Sequence, residues 1–262
     1  MSLSLTACEK PEQTTKDSVA AVAEQKAESA RLNEWFEAKY EEEIMMSPIG
    51  LTFLGRKERY GEIDDLSVAA QDKQLEWKRQ SVEEMTSSFD YAKLTDDAKL
   101  SYDLWKYQYE EAAADVPFRG NGYVFTQMQG VHSFLATLMV SFHKVESASD
   151  MEAYIKRIAG ISTGIKTLLQ RAKQNAEYGV RPPKFTYEGV IEQAENLVTG
   201  KPFSKSEQDS PLWTDAKSKI ASLLNVETID QAQAEDLTKR AHHALLGQNN
   251  FFGSVVQSYH NS

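Results

Sequence analysis

SDMEAYIKRIAGISTGIKTLLQRA, residues 149–172, places Met151, Tyr154, Ile155, Ile158, Ile161, Ile165, Leu168, Leu169 and Ala172 at steps of three and four. An α-helix turns once every 3.6 residues, so this spacing gathers the apolar side chains into one stripe that must be buried. Ser149 followed by Glu152 reads as a capping box, serine and glutamate each satisfying a free backbone donor of the first turn. The stripe ends at Gly179, and Pro182-Pro183 open a further helix that stops at Gly200.

The same grammar extends in both directions. Ser210-Pro211 is an N-cap and first-turn pair, and Thr228 with Gln231 reads as a second capping box before a run carrying Leu237, Ala241, Ala244, Leu245, Phe252, Val255 and Tyr259. Toward the N-terminus, residues 17–46 contain neither proline nor glycine, Ser67 caps a helix running to about Ser88, and Thr95 opens one running to about Ala114. In that last helix Leu100, Leu104 and Tyr107 fall on one side, and Tyr102, Trp105 and Tyr109 on another. DVPFRGNG, residues 115–122, stops it, and Tyr123-Val124-Phe125 is the one segment that reads as a strand. No unit of 33–47 residues repeats. The expected class is all-α, an irregular bundle of seven to nine helices. A polar, tether-like segment spans 1–16 and a single helical domain spans 17–262.

Composition narrows the function. The 262 residues carry 29 Lys+Arg against 39 Asp+Glu, a formal charge of −10, which repels nucleic acid and anionic membrane surfaces as main partners. Apolar residues at 41% and charged residues at 26% describe an ordinary globular chain, and the 13 glycines and 7 prolines are too few for a turn-rich β fold. The histidines are His132, His143, His242, His243 and His260, and no two stand four apart with a glutamate between, the spacing that aims two imidazoles at one zinc. His132 and His143 would be about 16 Å apart along a helix, too far for one ion. The acidic pairs Asp64-Asp65, Glu83-Glu84, Asp96-Asp97 and Glu110-Glu111 read as solvated helix faces, and no phosphate-binding glycine loop is present.

Leu5-Thr6-Ala7-Cys8 resembles a bacterial lipoprotein cleavage box, with the single cysteine as the lipidated residue and a polar tether behind it. Seven preceding residues leave no room for the basic and apolar regions of a signal peptide, so the leader is read as truncated. Glu9 at the next position implies, by the sorting rule for such proteins, the outer membrane, with the chain facing the periplasm.

LTFLGRKERYGEIDDLS, residues 51–67, is a basic, glycine-punctuated loop between helices. Gly55 and Gly61 suit turns that other residues resist, and Asp64, Asp65 and Ser67 suit the N-terminus of the next helix. With Ser47-Pro48 before it, this loop resembles the N-terminal half of the bacterial family catalogued as domain of unknown function 885. Gln127-Met128-Gln129-Gly130-Val131-His132, the helix start at Ser149–Ile158, and Glu177-Tyr178-Gly179-Val180-Arg181-Pro182-Pro183 continue the likeness in order, over about residues 32–200. The resemblance implies a helical N-terminal lobe of a longer protein similar to gluzincin-type zinc metallopeptidases. In that family the HExxH helix and the downstream glutamate ligand lie in the C-terminal half. Zinc is therefore expected only there, with no metal and no catalytic residue in this chain, its own C-terminal half as partner and a peptide as substrate. Gln127, Gly130, His132 and Arg59 are the candidates to line a substrate cleft. The second reading is a complete, non-enzymatic all-α periplasmic lipoprotein that binds a small ligand or a protein partner.

Overall fold

The structure, a computed structural model, describes residues 12–128 and 130–260, with side chains from 19 to 128 and from 130 to 247. Among the described residues there is no strand, and the chain is an all-α irregular bundle. Its helices are α1 (Glu12–Ile44), α2 (Pro48–Phe53), α3 (Val68–Ser88), α4 (Asp96–Ala114), α5 (Val131–Thr137), α6 (Ala148–Glu177), α7 (Lys184–Val198), α8 (Pro211–Asn225) and α9 (Gln231–His260). Tyr123–Phe125 forms no strand. An extended segment without a neighbour leaves its backbone groups unpaired, and Phe125, only 1% exposed, instead pins the segment as irregular chain. Cys8 lies outside the described residues.

The contacts divide the chain into two compact units, one holding the chain up to Glu42 and Asp72–Val116, the other Glu43–Gln71 and the chain from Pro117 onward. The first unit centres on Leu32, Met85, Phe89, Leu94, Ala98 and Tyr102, with Trp35 edge-on to Phe36 and Trp105 and Phe36 tilted against Trp105. Tyr102 is the buried side of α4, whereas Leu100, Leu104 and Tyr107 are exposed. Lys78 lies with its ammonium 3.1 Å from the Trp105 ring centroid and bonds Gln108, a buried cation held by a ring face and an amide.

The second unit is built around α6. Met151, Tyr154, Ile158, Ile161, Ile165, Leu168 and Leu169 are all buried, as their spacing requires, while Ile155 and Ala172 at the edges of the stripe are half-buried, and α9 packs against α6, α7 and α8. Burying a Leu- or Ile-sized side chain stabilises by about 1.5–3 kcal/mol, so this one stripe is a large part of the unit's apolar contribution, beside the buried residues of α5, α7, α8 and α9. Gly164 marks the closest approach of the loop before α3, since a Cβ there would lie 2.7 Å from Ile63 Cδ1.

Two caps fall two residues away from the expected positions. Ser147, not Ser149, caps α6, its hydroxyl accepting from the Asp150 amide at 3.2 Å, while Ser149 meets only Ser147. Helix α9 starts after Asp230, whose carboxylate accepts from the Gln233 amide at 2.8 Å while the Gln233 side chain accepts from the Asp230 amide at 3.0 Å. That reciprocal pair is the capping box the Thr228–Gln231 reading misplaced. In both cases a second acceptor near the start outcompetes the first-read one. The Ser67, Thr95 and Ser210 caps form as expected.

Candidate functional site

The 51–67 loop folds as a clamp. Gly55 has φ +74, a left-handed conformation that a side chain would strain. Gly61 serves differently from expectation: its φ is not positive, and it marks a close approach of the loop to α6, a Cβ there lying 2.9 Å from Lys156 Cδ and 3.4 Å from the Ala153 Cα. The second left-handed residue is Arg59, at φ 57, held by Nη1 donating to the Met45 carbonyl at 2.7 Å and by its pairing with Glu62. Asp64 does not cap the following helix. It reaches back to α2, accepting from Ser47 Oγ at 2.8 Å and the Ile49 amide at 2.9 Å, and leaves Ser67 to cap α3.

The clamp closes on a buried cation. Arg157, fully buried on α6, donates Nε to the Glu62 carbonyl (2.8 Å), Nη2 to Thr52 Oγ1 (2.9 Å) and Nη1 to His143 Nδ1 (3.0 Å), with its guanidinium carbon 5.1 Å from the centre of the Tyr60 ring. An arginine can only donate, so His143 Nδ1 is bare and Nε2 carries the proton, which it gives to the Asp150 carbonyl at 3.1 Å. Tyr60 stacks on His143 at 4.0 Å and donates its hydroxyl to the Lys144 carbonyl. Burial pushes His143 down to about 4, with the Arg157 charge adding to the effect, and burial brings Arg157 itself down to about 10. Asp150 is drawn upward by its own burial, but Lys57 at 2.8 Å, the Glu146 amide and Ser147 outweigh it, and its carboxyl lies below the ordinary range. Nearby, Tyr154 donates to Asp215 at 2.8 Å, and Lys219 bonds both Asp215 and the Met139 carbonyl at 2.6 Å.

The second polar cluster holds three of the four cleft candidates. His132 is fully buried and its Nε2 lies 2.9 Å from Gln193 Oε1, which also accepts from Ser133 Oγ at 3.1 Å. Gln193 Nε2 in turn donates to the Gln127 carbonyl at 2.7 Å. The amide oxygen is an acceptor, so Nε2 of His132 bears the proton. Its Nδ1 is bare, buried and without a partner among the described residues. Burial holds this imidazole below its ordinary pKa against the Gln193 bond. Gly130 is explained by close approach, because a Cβ there would lie 2.2 Å from His132 Cε1 and 2.4 Å from the Thr126 carbonyl. Gln127, Gly130 and His132 are thus brought together, facing the interior of the unit. Arg59 is not with them: it lines a charged groove with Lys57, Glu62, Asp150, Glu152 and Arg240.

A cavity of about 250 Å³ lies elsewhere in the same unit, between Gly122–Phe125, the C-terminal part of α6, the turn at Val180–Pro182 and Tyr187 of α7. Leu169, Ala172, Ala176, Phe125 and Val180 give it apolar surface, and Lys173, Glu177 and Arg181 give it charge. Asn175 donates to the Gly122 carbonyl at 3.1 Å and ties the loop wall to the helix. The sequence reading ends one helix at Gly179 and opens the next at Pro182-Pro183, and assigns no site to residues 177–183. The available signal was Arg181, a cation set between Gly179, at φ +84, and two prolines, where the backbone has little freedom.

Zinc requires three or four convergent ligands, and among the described residues no three His, Cys, Asp or Glu side chains are grouped as a metal site. The described residues do not fit that ion. Nor is any helix among the described residues long and apolar enough to cross a membrane. A comparison with curated proteins finds no match. The model of a bacterial protein family of unknown function, DUF885, matches residues 48–258, the span that contains the clamp, both buried histidines and the cavity. The chain belongs to that family.

Proposed function

We propose that this chain is the non-catalytic helical lobe of a periplasmic protein related to zinc peptidases, tethered to the outer membrane by a lipid on Cys8 and completed by a C-terminal half that carries the metal and the catalytic groups. The observation that carries this reading is the use made of the two central histidines. His143 spends both ring nitrogens on Arg157 and the Asp150 carbonyl, and His132 is directed at Gln193, so both act as interior hydrogen-bonding groups. Family membership over 48–258 supports the assignment to a helical lobe. On this reading the lobe contributes shape and substrate contact. Arg59, in its groove of about 650 Å³, is the cleft candidate open to a peptide, and Gln127, Gly130 and His132 stiffen the segment that leads into α5.

Two experiments test this. The chain alone is expected to cleave none of a mixed peptide library, with or without added zinc; hydrolysis that co-purifies with the chain and is lost on chelation would overturn the non-catalytic assignment. The native full-length protein is expected to partition into detergent through Cys8. Equal partitioning of a Cys8→Ser form would remove the lipid tether.

A further inference from the structure

We propose that the cavity between Gly122–Phe125, α6 and the Val180–Pro182 turn binds a small carboxylate carried on an apolar body. The site does not depend on the lobe reading and would stand if that reading failed.

Charge accounting points to it first. In this acidic chain Arg31, Arg56, Arg59, Arg79 and Arg240 each pair with a glutamate, and buried Arg157 is held by three neutral acceptors. Arg181 and Lys173 have no hydrogen bond or ion pair among the described residues, and both line this cavity. Glu177 is the one carboxylate lining it, so two cations against one anion leave one positive charge in excess.

The surface beneath the cations is apolar. Leu169 and Phe125 are core residues at 7% and 1% exposure, and Ala172 and Ala176 are small enough to leave the space open. Drug-sized ligands occupy roughly 300–1,000 Å³; at about 250 Å³ the cavity takes one aromatic ring or branched chain with its polar end at the mouth. A guanidinium fork matches a carboxylate in two parallel hydrogen bonds, and Arg181 is exposed at the mouth where such an end would lie. Glu177 remains to accept an N–H from the ligand. The wall is preset: the Asn175–Gly122 bond holds the loop, and Gly179 with Pro182-Pro183 holds the Arg181 turn.

This chemistry has two sources, the C-terminal residue of a peptide and a free fatty acid of medium length. Calorimetric titration of the whole chain with N-acetyl-phenylalanine, its neutral amide and octanoate separates them. Saturable binding of a carboxylate is expected, with the neutral amide weaker by about tenfold or more, the discrimination one charge-assisted pair supplies. Arg181→Ala should weaken the carboxylate by a similar factor, and Ala176→Trp, which fills the space, should abolish binding while far-ultraviolet dichroism stays unchanged. Preference for N-acetyl-phenylalanine would support a peptide terminus, and preference for octanoate a fatty acid. No saturation by either carboxylate, equal binding of the neutral amide, or indifference to Arg181→Ala would overturn the proposal.

Discussion

Helix α6 carries charge in two ways. Toward its N-terminus Arg157 is buried with each of its three nitrogens bonded, His143 has both nitrogens bonded, and Asp150 is fixed by Lys57, the Glu146 amide and the Ser147 hydroxyl. Toward its C-terminus Lys173 has no partner among the described residues, and it shares a cavity with an equally unengaged Arg181. The difference teaches where to look for function. A closed polar network in a low-dielectric interior stabilises and specifies the fold, because any missing partner leaves a costly orphan. Cations kept unpaired beside apolar surface add little to stability and are available to a ligand.

The largest effect that could break this contrast is expected at the closed end. Arg157→Leu removes the donor shared by the Glu62 carbonyl, Thr52 and His143, and should cost about 3 kcal/mol or more in urea unfolding. A loss below about 1 kcal/mol would mean the clamp does not depend on its cation.

Acid should expose the same network by a second route. His143 titrates at about 4 when folded and near its ordinary 6.5 when unfolded. Between those values the unfolded chain binds more protons, so stability falls as pH drops through this window, by roughly 3 kcal/mol in all. His143→Gln keeps an acceptor for Arg157 and a donor for the Asp150 carbonyl, and should flatten that part of the stability–pH curve relative to the parent. An unchanged slope would show that the imidazole is not held neutral.

A smaller loss, roughly 1–3 kcal/mol, is expected for Gly164→Ala, whose methyl would press on Ile63 and Leu66 and lift the loop off α6. At the open end Arg181→Ala should leave the unfolding midpoint within about 0.5 kcal/mol of the parent, because no bond is lost. A larger loss there would erase the contrast.

Much of the fold was legible because it rests on periodicity. The stripe from Met151 to Leu169 is buried as its spacing demands, and the Ser67, Thr95 and Ser210 caps lie where short polar side chains precede apolar runs. What was not legible depends on residues far apart in sequence. Ser147 outranks Ser149 because Asp150 is drawn toward Lys57, 93 residues away. In α4 the 3- and 4-residue steps offered two faces, and only packing chose Tyr102 over Leu100 and Leu104. Arg157 reads as a charge interrupting an apolar stripe, yet it is fully buried, because its acceptors come from residues 52, 62 and 143. Of the four cleft candidates, Gln127 and His132 meet through Gln193, a residue no motif singled out, and Gly130 joins them by its close approach to His132.

The functional account rests most directly on His132 and His143 being interior hydrogen-bonding groups. Equilibrating the purified chain with zinc, removing free metal and measuring what stays bound tests this in one step. The account predicts no stoichiometric zinc and an unchanged melting temperature; one tightly held zinc per chain, lost on His132→Gln or His143→Gln, would contradict it.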